Sequence, residues 1–531
     1  MSARRHRRSP APARVFTIPP GLSFLDALAA GLIARAGQDP LALSAMTVLL
    51  PTRRACRSLE AAFLRRSEGR ALLLPAIRPL GDIDEDALAE EAGLEAADAA
   101  ALDLAPAIPR LRRRLLLARE VLDWSLKHKG DAPTRGTLTP DQAARLADEL
   151  AHLIDQVETE RLSFAALDGL VPADYAAHWQ QTLRFLKLIT RHWPKLLKSL
   201  DLIDPALHRD RGLSALARSY RQNPPAHPVI AAGSTGSIPA TAELLGAIAH
   251  LPEGAVVLPG LDRTLDEESW QALEPTHPQY GLKFLLERLG VAHQTVPDWP
   301  TPLEPTTPAS RAWVIAAALR PAAAPARRLE RAALNAALRD VVRIDCANPR
   351  EEAGVIAFIL RETLESEGKR AALVTLDRML ARRVAAALKR FGVVVDDSAG
   401  LPLAKTPPGT FLRLIAEAAA ERWPPVKFLA ALKHPLAACG LSRLRLIETV
   451  RRIELAVLRG PRPAPGLAGL REALSKQARD PALGALVGGL ERLAAPFDGL
   501  IAAHRASARE LVRQHLALAE ALAVEEKEAG R

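Results

Sequence analysis

Apolar residues recur along this chain in two alternating rhythms. The stretch "RVFTIPPGLSFLDALAAGLIARAG" begins with a short apolar run, breaks at Pro-Pro-Gly and continues with helical spacing. That pattern predicts a strand, a tight turn and a helix. "MTVLLP" is a continuous apolar run and predicts a second strand; Pro51 and Thr52 end it, and residues 53–66 return to helical spacing. Strand, helix, strand, helix at this pace predicts a parallel sheet. The alternation returns further on: "PVIAAG" reads as a strand, 234–239 as a loop, 240–250 as a helix and "GAVVLPG" as another strand. Between these blocks, residues 108–218 read almost wholly as helix. There Thr139 and Gln142 fit a capping box with Pro140 at the first helical position. Leu146, Leu150, Leu153, Ile154 and Val157 form one apolar stripe. A helical block between strand-bearing segments predicts an inserted subdomain.

The proline-rich passages "VPDWPTPLEPTTPAS" and "RPAAAPARR" read as a linker. Beyond them the pattern predicts a second α/β unit, with strands at 341–344, 372–375 and 393–395 separated by helices. The remainder is helical, broken near 459–466, and there is no internal repeat. The fold class is α/β.

Composition narrows this picture. Of 531 residues, 48% are hydrophobic but only 4% aromatic, so the core is built mainly from Ala, Leu and Val, which suits helices. The length predicts two to four domains. No apolar run reaches the roughly 18 residues that a membrane helix needs. A net charge of +10 favours an anionic partner, nucleic acid above all, with solvated arginine-rich faces as the plainer reading. Cys56, Cys346 and Cys439 lie far apart with no CxxC and no zinc-type spacing, which points to a reducing compartment and structural thiols. "MSARRHRRSPAPA" is basic and lacks the apolar core of a secretory signal, so it reads as a disordered arm whose Arg4, Arg5, Arg7 and Arg8 are available to phosphates. The acidic stretch 81–103, with Asp82, Asp84, Glu85 and Asp86, reads as an exposed helix start rather than a metal site, because it has no defined ligand pattern.

Several stretches imitate catalytic motifs. A P-loop needs G-x-x-x-x-G-K-[ST], so that backbone N–H groups wrap phosphate, a lysine neutralises charge and a hydroxyl holds magnesium. Counting from Gly21, the last three places hold Asp26, Ala27 and Leu28. Gly21, Leu22 and Ser23 are thus a degenerate nucleotide-loop position, with at most a weak anion site on the N–H groups of Ser23 or Phe24. In "GLPLAKTPPG", Gly400, Lys405 and Thr406 imitate the end of the motif, but the second glycine is missing and Pro407 and Pro408 remove two donors. "AAGSTGS" resembles a nucleophile elbow around Ser234, with Ala232 in place of the first glycine and no partner motif, although His250 and His277 lie downstream. Its plainer reading is a Gly/Ser/Thr loop at the carboxyl end of a strand, where open α/β sheets bind ligands. In "LLPTRRACRSL", Thr52, Arg53 and Arg54 combine a hydroxyl, two guanidinium groups and a helix start, which reads either as a phosphate grip or as a solvated helix start.

The stretches "RVFTIPPGLSFLDALA", "TVLLPTRRACRSL", "RPLGD", "HWQQTLRFLKLITRHWP", "VIAAGSTGSIPATAELL", "VVLPGLD" and "THPQYGLKFLLERLG", and later "NPREEAGVIAFILRE", "ALVTLDRMLARRVAAALKRFGV" and "HPLAACG", stand out, "AAGSTGSIPAT" as long and unusual. Together they resemble the N-terminal half of the AddB family in its alphaproteobacterial form. AddB is the partner of AddA in the helicase–nuclease that processes double-strand DNA breaks. The resemblance implies two RecA-like parallel-sheet domains of the UvrD/RecB superfamily-one helicase kind with large all-helical insertions. Residues 14–107 and 220–295 would form the first such domain, 108–219 its insertion, 296–335 a Pro-rich linker, 336–420 the start of the second domain and 421–531 a truncated helical insertion, all after the basic arm at 1–13.

The departures from that family define the expected function. The P-loop lysine is absent at 21–28. Gly233, Ser234 and Thr235 stand where an Asp-Glu pair would follow "VIAAG", and "LPGLD" lacks its glutamine. The expectation is a helicase fold without its own ATPase cycle and a fragment lacking the family's nuclease domain. The resemblance places ATP and magnesium on the AddA partner, and any iron–sulfur cluster in the missing C-terminal half. The expected role is a DNA-binding, non-motor subunit, cytoplasmic and bacterial, that pairs with AddA and guides a single strand at a duplex end. Its expected phosphate donors are Thr52, Arg53, Arg54, Ser234, Thr235 and Ser237. The alternatives are a divergent DNA helicase with its own NTPase, and a purely structural adaptor for AddA.

Overall fold

The structure is a computed structural model that describes residues 12–39, 41–80, 105–127, 138–164, 185–305, 307–321, 330–478, 480–503 and 506–525. The basic arm through Arg8 and the acidic stretch 81–103 lie outside them. The chain divides into two compact units, Met1–Val342 and Arg343–Arg531.

The first unit is built on five parallel strands: β1 (Val15–Ile18), β2 (Thr47–Leu50), β3 (Ala76–Pro79), β4 (Val229–Ala232) and β5 (Gly254–Pro259), in the spatial order β1-β5-β4-β2-β3. Its helices are α1 (Phe24–Ala36), α2 (Arg53–Arg66), α3 (Arg110–Lys127), α4 (Pro140–Thr159), α5 (Trp193–Ser199), α6 (Pro205–Gln222), α7 (Pro239–Ala249), α8 (Glu267–Gln271), α9 (Tyr280–Leu289), α10 (Ala309–Ala318) and α11 (Arg331–Ala337). Side chains alternate across the strands, so each strand feeds two cores. Ile18, Val48, Leu50, Ile230, Ala232, Ala255 and Val257 pack with Leu28, Leu32, Leu59 and Phe63 of α1 and α2. Val15, Leu49, Val229, Ala231, Val256 and Leu258 pack with α6, α7 and α9 through Leu216, Tyr220, Leu245, Ile248 and Leu285. Parallel strands buried on both faces read as the continuous apolar runs seen in the sequence.

Because β1 and β2 lead into helices on one face and β4 and β5 into helices on the other, the winding reverses twice. The reversals fall between neighbours β1 and β5 and between neighbours β4 and β2. Both gaps open at the carboxyl edge of the sheet, where doubly wound folds place ligands.

Two expectations about this unit change. The sequence pattern does not predict strand β3, because Pro75 precedes it and Pro79 is its last residue, and proline weakens a strand signal; as an edge strand paired only with β2 it tolerates them. The 296–335 linker is also not a linker throughout. Thr17 N–H donates to Pro297 O at 2.9 Å, Trp299 N–H donates to Thr17 O at 2.7 Å, and Trp299 is 4% exposed in the α1/α2 core. Its indole lies against Gly31 of α1, where a Cβ would collide with Nε1. Glycine is a poor helix former, so its place in α1 is set by this contact.

The helical block forms its own core around Ile108, Leu117, Val121, Leu150, Ile154 and Trp193. Of the predicted stripe, Leu150 and Ile154 are buried, and Gln142 Oε1 accepts the Thr139 N–H at 3.0 Å as the capping box requires. At its centre Arg113 Nε lies 2.7 Å from Asp204 Oδ1 and Nη1 2.8 Å from Asp155 Oδ1, while Trp193 Nε1 donates to Asp204 Oδ2 at 2.9 Å. Glu158 shares this neighbourhood. Burial first, and then the Asp204 and Asp155 charges, push its carboxyl up to about 8 against the opposing pull of Arg113.

The second unit contains α12 (Pro349–Leu364), α13 (Arg378–Lys389), α14 (Pro407–Ala420), α15 (Pro425–Leu432), α16 (Arg443–Ile453), α17 (Gly466–Gln477), α18 (Pro481–Ala502) and α19 (Ala508–Ala523). Phe411, Ile415, Phe428, Leu446, Val450, Val487, Leu490 and Leu522 form the core of its helical part. The strands expected at 341–344, 372–375 and 393–395 are not formed. A β pattern can be read locally, but a strand exists only through a neighbour, and among the described residues none pairs with these. No helix among the described residues is long and apolar enough to cross a membrane.

The Glu158 carboxyl gives a pH signature. Between pH 4.5 and about 8 it holds its proton in the folded chain and loses it in the unfolded one. Folded protein then binds more protons, so stability falls as pH rises across that window. Glu158→Gln is expected to raise the unfolding free energy at pH 8 by about 1–3 kcal/mol and flatten this limb. Urea unfolding followed by Trp fluorescence between pH 5 and 9 checks it.

Candidate nucleic-acid interface at the carboxyl edge of the sheet

The adjacency of β2 and β4 brings together two loops that lie far apart in sequence. Thr47, Val48 and Leu49 pair with Val229, Ile230 and Ala231, so the ends of both strands open on one rim. Thr52, Arg53 and Arg54 leave β2 on this rim; Ser234, Thr235 and Ser237 leave β4 on it. The predicted site residues therefore share one edge of the sheet. Thr52 is the N-cap of α2, with its Oγ1 accepting the Ala55 N–H at 3.1 Å, and a hydroxyl that accepts one bond can still donate another. Thr52, Arg53, Arg54 and Arg57 are exposed, and 53, 54 and 57 lie on the first turns of one helix. Ser237 is exposed, while Ser234 and Thr235 are half-buried.

The loop after β4 is shaped by close contacts. Gly233 and Gly236 have φ of 76° and 63°, in the left-handed region that glycine enters without strain. Gly236 N–H donates to Ser234 Oγ at 3.3 Å. Gly281, at the start of α9, faces this loop so closely that a Cβ there would lie 3.2 Å from Thr235 Cβ and 3.6 Å from Ser237 Cβ. Gln279 ties α9 to the end of β5: its Nε2 donates to Gly260 O at 3.0 Å and its Oε1 accepts the Asp262 N–H at 3.1 Å. A glutamine thus stands at this strand end after all, contributed from 17 residues beyond Asp262 and committed to the backbone.

The nucleotide-loop position is filled by the protein itself. Ser23 Oγ donates to Asp26 Oδ2 at 2.5 Å, and the same carboxylate lies 3.0 Å from Arg65 and 3.6 Å from Arg66 of α2. Asp26 is 5% exposed. Burial alone would raise its pKa, but the Ser23 and Arg65 hydrogen bonds and the Arg65 and Arg66 charges outweigh burial and lower it. The first turn of α1 therefore carries its own buried anion, which replaces the weak anion site expected at Ser23 and Phe24. The Phe24 ring also covers the neighbouring backbone: a Cβ on Gly233 would meet it at 3.2 Å and Pro51 Cδ at 3.7 Å. Thr307 Oγ1 sits over Gly21 in the same way, 2.5 Å from where a Cβ would be. A phosphate cradle needs open N–H groups and positive charge, and here an aromatic ring, a threonine and a carboxylate take that space. The residues present do not fit a nucleotide with its magnesium ion.

The other imitations resolve as ordinary structure. Thr406 caps α14 by accepting the Gly409 N–H at 3.2 Å, with Pro407 and Pro408 in the first turn. His250 Nδ1 lies 2.8 Å from Gly246 O and His277 Nε2 lies 2.6 Å from Leu319 O, so both histidines are engaged with backbone carbonyls. Among the described residues no group of His, Cys, Asp and Glu gathers as a metal site.

Neither a protein-family model nor a curated protein matches this chain.

The Asp26 ion pair carries a stability prediction. With its pKa lowered, its contribution is fully present above the usual carboxylate value and is lost as pH falls through the lowered one. Asp26→Asn is expected to cost about 2 kcal/mol at pH 7, less than a fully buried pair because Arg65 and Arg66 are partly exposed. It should also flatten the acid limb of stability. Chemical denaturation between pH 3 and 7 checks both.

Proposed function

We propose that this chain is a DNA-binding, helicase-like subunit of the AddAB type, acting in the processing of double-strand DNA breaks without an ATPase cycle of its own. The observation that carries this reading is a single rim with two contrasting halves. Between β4 and β2 it presents the Thr52, Ser234, Thr235 and Ser237 hydroxyls beside the Arg53 and Arg54 guanidinium groups. Beside it, at the nucleotide-loop position, Asp26 and Phe24 take the space that phosphate would need. A doubly wound parallel sheet with its loops on that edge fits the first RecA-like domain implied by the resemblance. So does a helical block inserted between β3 and β4.

In this reading the rim holds the sugar-phosphate backbone of a single strand. Hydroxyl donors and guanidinium groups grip phosphate oxygens and position the strand without reading its bases. The motor work, with ATP and magnesium, belongs to an AddA partner, and this subunit guides the strand that the partner moves. The +10 net charge of the chain assists capture of a polyanion.

The test is the salt dependence of binding to a thymidine oligonucleotide. Each phosphate contact on a single strand contributes about 0.7 to the slope of log K against log salt. The double variant Arg53→Ala/Arg54→Ala is expected to lower that slope by about 1.4 and weaken binding at low salt. An unchanged slope would remove these residues from the interface. Purified chain is also expected to show no DNA-stimulated ATP turnover; clear turnover would favour the divergent-motor reading instead.

A further inference from the structure

Helix α13 turns an apolar side inward and a basic side outward. Leu380, Val384 and Leu388 are buried against Ala353 and Ala357 of α12. At about 3.6 residues per turn, positions 378, 379, 382, 386 and 389 lie opposite that seam, with 383 and 390 at the borders. All of these positions are exposed. Arg378, Arg382, Arg383, Lys389 and, at the C-cap, Arg390 make the face cationic, and α13 contains no Asp or Glu. The neighbouring α12 mixes its signs, with Arg361 paired to Glu365 at 3.4 Å.

Contacts within the chain account for only part of this face. Arg378 is committed to Asp397, at 3.0 and 2.7 Å. Lys389 and Arg390 lie at the end of the helix, where cations complement its dipole. Arg382 and Arg383 lie in its middle, where the dipole gives them nothing, and Arg382 stands four residues from the like charge of Arg378. Among the described residues, Arg382, Arg383, Lys389 and Arg390 form no ion pair or side-chain hydrogen bond.

The chemistry of the face selects its partner. A lipid surface takes up the apolar side of a basic helix, and here that side is packed on α12. A protein interface is built around an apolar centre depleted in charge, whereas Arg382 sits at the centre of this face. Single strands are held by stacking their bases on aromatic rings, and none of the outward positions is aromatic. What remains is a rigid row of charge, with one cation pair at 382/383 and another at 389/390. Two turns of helix separate the pairs by about 10 Å. Three phosphate steps along one strand of a duplex rise by about the same distance. Arginine, which holds three of the four positions, also matches phosphate oxygens with its planar fork.

We propose that the outward face of α13 is a docking surface for the sugar-phosphate backbone of duplex DNA, held by Arg382, Arg383, Lys389 and Arg390 without reading bases. This surface belongs to the second unit and does not rest on the single-strand reading of the rim in the first.

The experiment is binding of the full chain to a blunt DNA duplex across a salt series, read by fluorescence anisotropy. Each phosphate contact on a duplex contributes about 0.9 to the slope of log K against log salt. The variant Arg382→Gln/Arg383→Gln/Lys389→Gln/Arg390→Gln is expected to lower that slope by about 3.6 and to weaken binding at low salt at least tenfold. Arg382→Gln/Arg383→Gln, which leaves the last turn intact, should lower it by about 1.8 with the helical signal unchanged. Arg382→Lys/Arg383→Lys/Arg390→Lys keeps the charge and should keep the slope; loss of the slope there would make the arginines structural and overturn the proposal. The same drops are expected in an Arg53→Ala/Arg54→Ala background, so failure of the rim reading would leave this surface standing. An unchanged duplex slope overturns the proposal. So does a drop confined to a thymidine oligonucleotide, which would put a single strand on the face. Binding to phosphatidylserine vesicles or polyglutamate that the glutamine variant abolishes, with the duplex slope unchanged, overturns it as well.

Discussion

A parallel sheet must be kept dry on both faces, and the rest of this protein depends on how that condition is met. In the first unit it is met twice over. Alternate residues of β1, β2, β4 and β5 point into two separate cores, one under α1 and α2 and the other under α6, α7 and α9. To place helices on both faces the chain has to reverse its winding, and those reversals bring the carboxyl ends of β2 and β4 side by side. The candidate interface is a by-product of covering the sheet.

The same condition shapes the turn between β1 and α1. Once Asp26 is buried at the start of α1, it needs partners, and Arg65 and Arg66 of α2 supply them across the helix pair. The ion pair fastens α1 to α2 over the sheet, with Phe24 closing the space above Gly233. A junction that in a motor protein would open toward phosphate is here part of the packing between two helices. Opening it would unpair a buried carboxylate, so its structural role and a nucleotide-binding role exclude each other.

In the second unit the helices of 407–523 satisfy one another in a closed core. Residues 372–376 and 393–395 have only one face covered, by α12 and α13.

Much of the local structure was legible from periodicity. The helix read at 53–66 is α2 to the residue, and the strands "MTVLLP", "PVIAAG" and "GAVVLPG" all form. These depend on which face of a short segment is apolar, which is local information. The wrong sign of Asp26 was equally legible, as a carboxylate where a lysine would stand. Strand order was not legible, because pairing joins residues such as Leu49 and Ala231 that sequence places far apart. For the same reason the sequence could not place Phe24 against Gly233, seat Trp299 on Gly31, or bring Gln279 to the end of β5. It also predicted strands at 372–375 and 393–395 from patterns that are present but unpaired. By itself the sequence determined most helices and the strands β1, β2, β4 and β5, together with a carboxylate, Asp26, at the start of α1. Only tertiary structure decided that Thr52, Arg53 and Arg54 share one rim with Ser234, Thr235 and Ser237 and that the turn before α1 is sealed, because both follow from contacts between segments that meet when the sheet is covered.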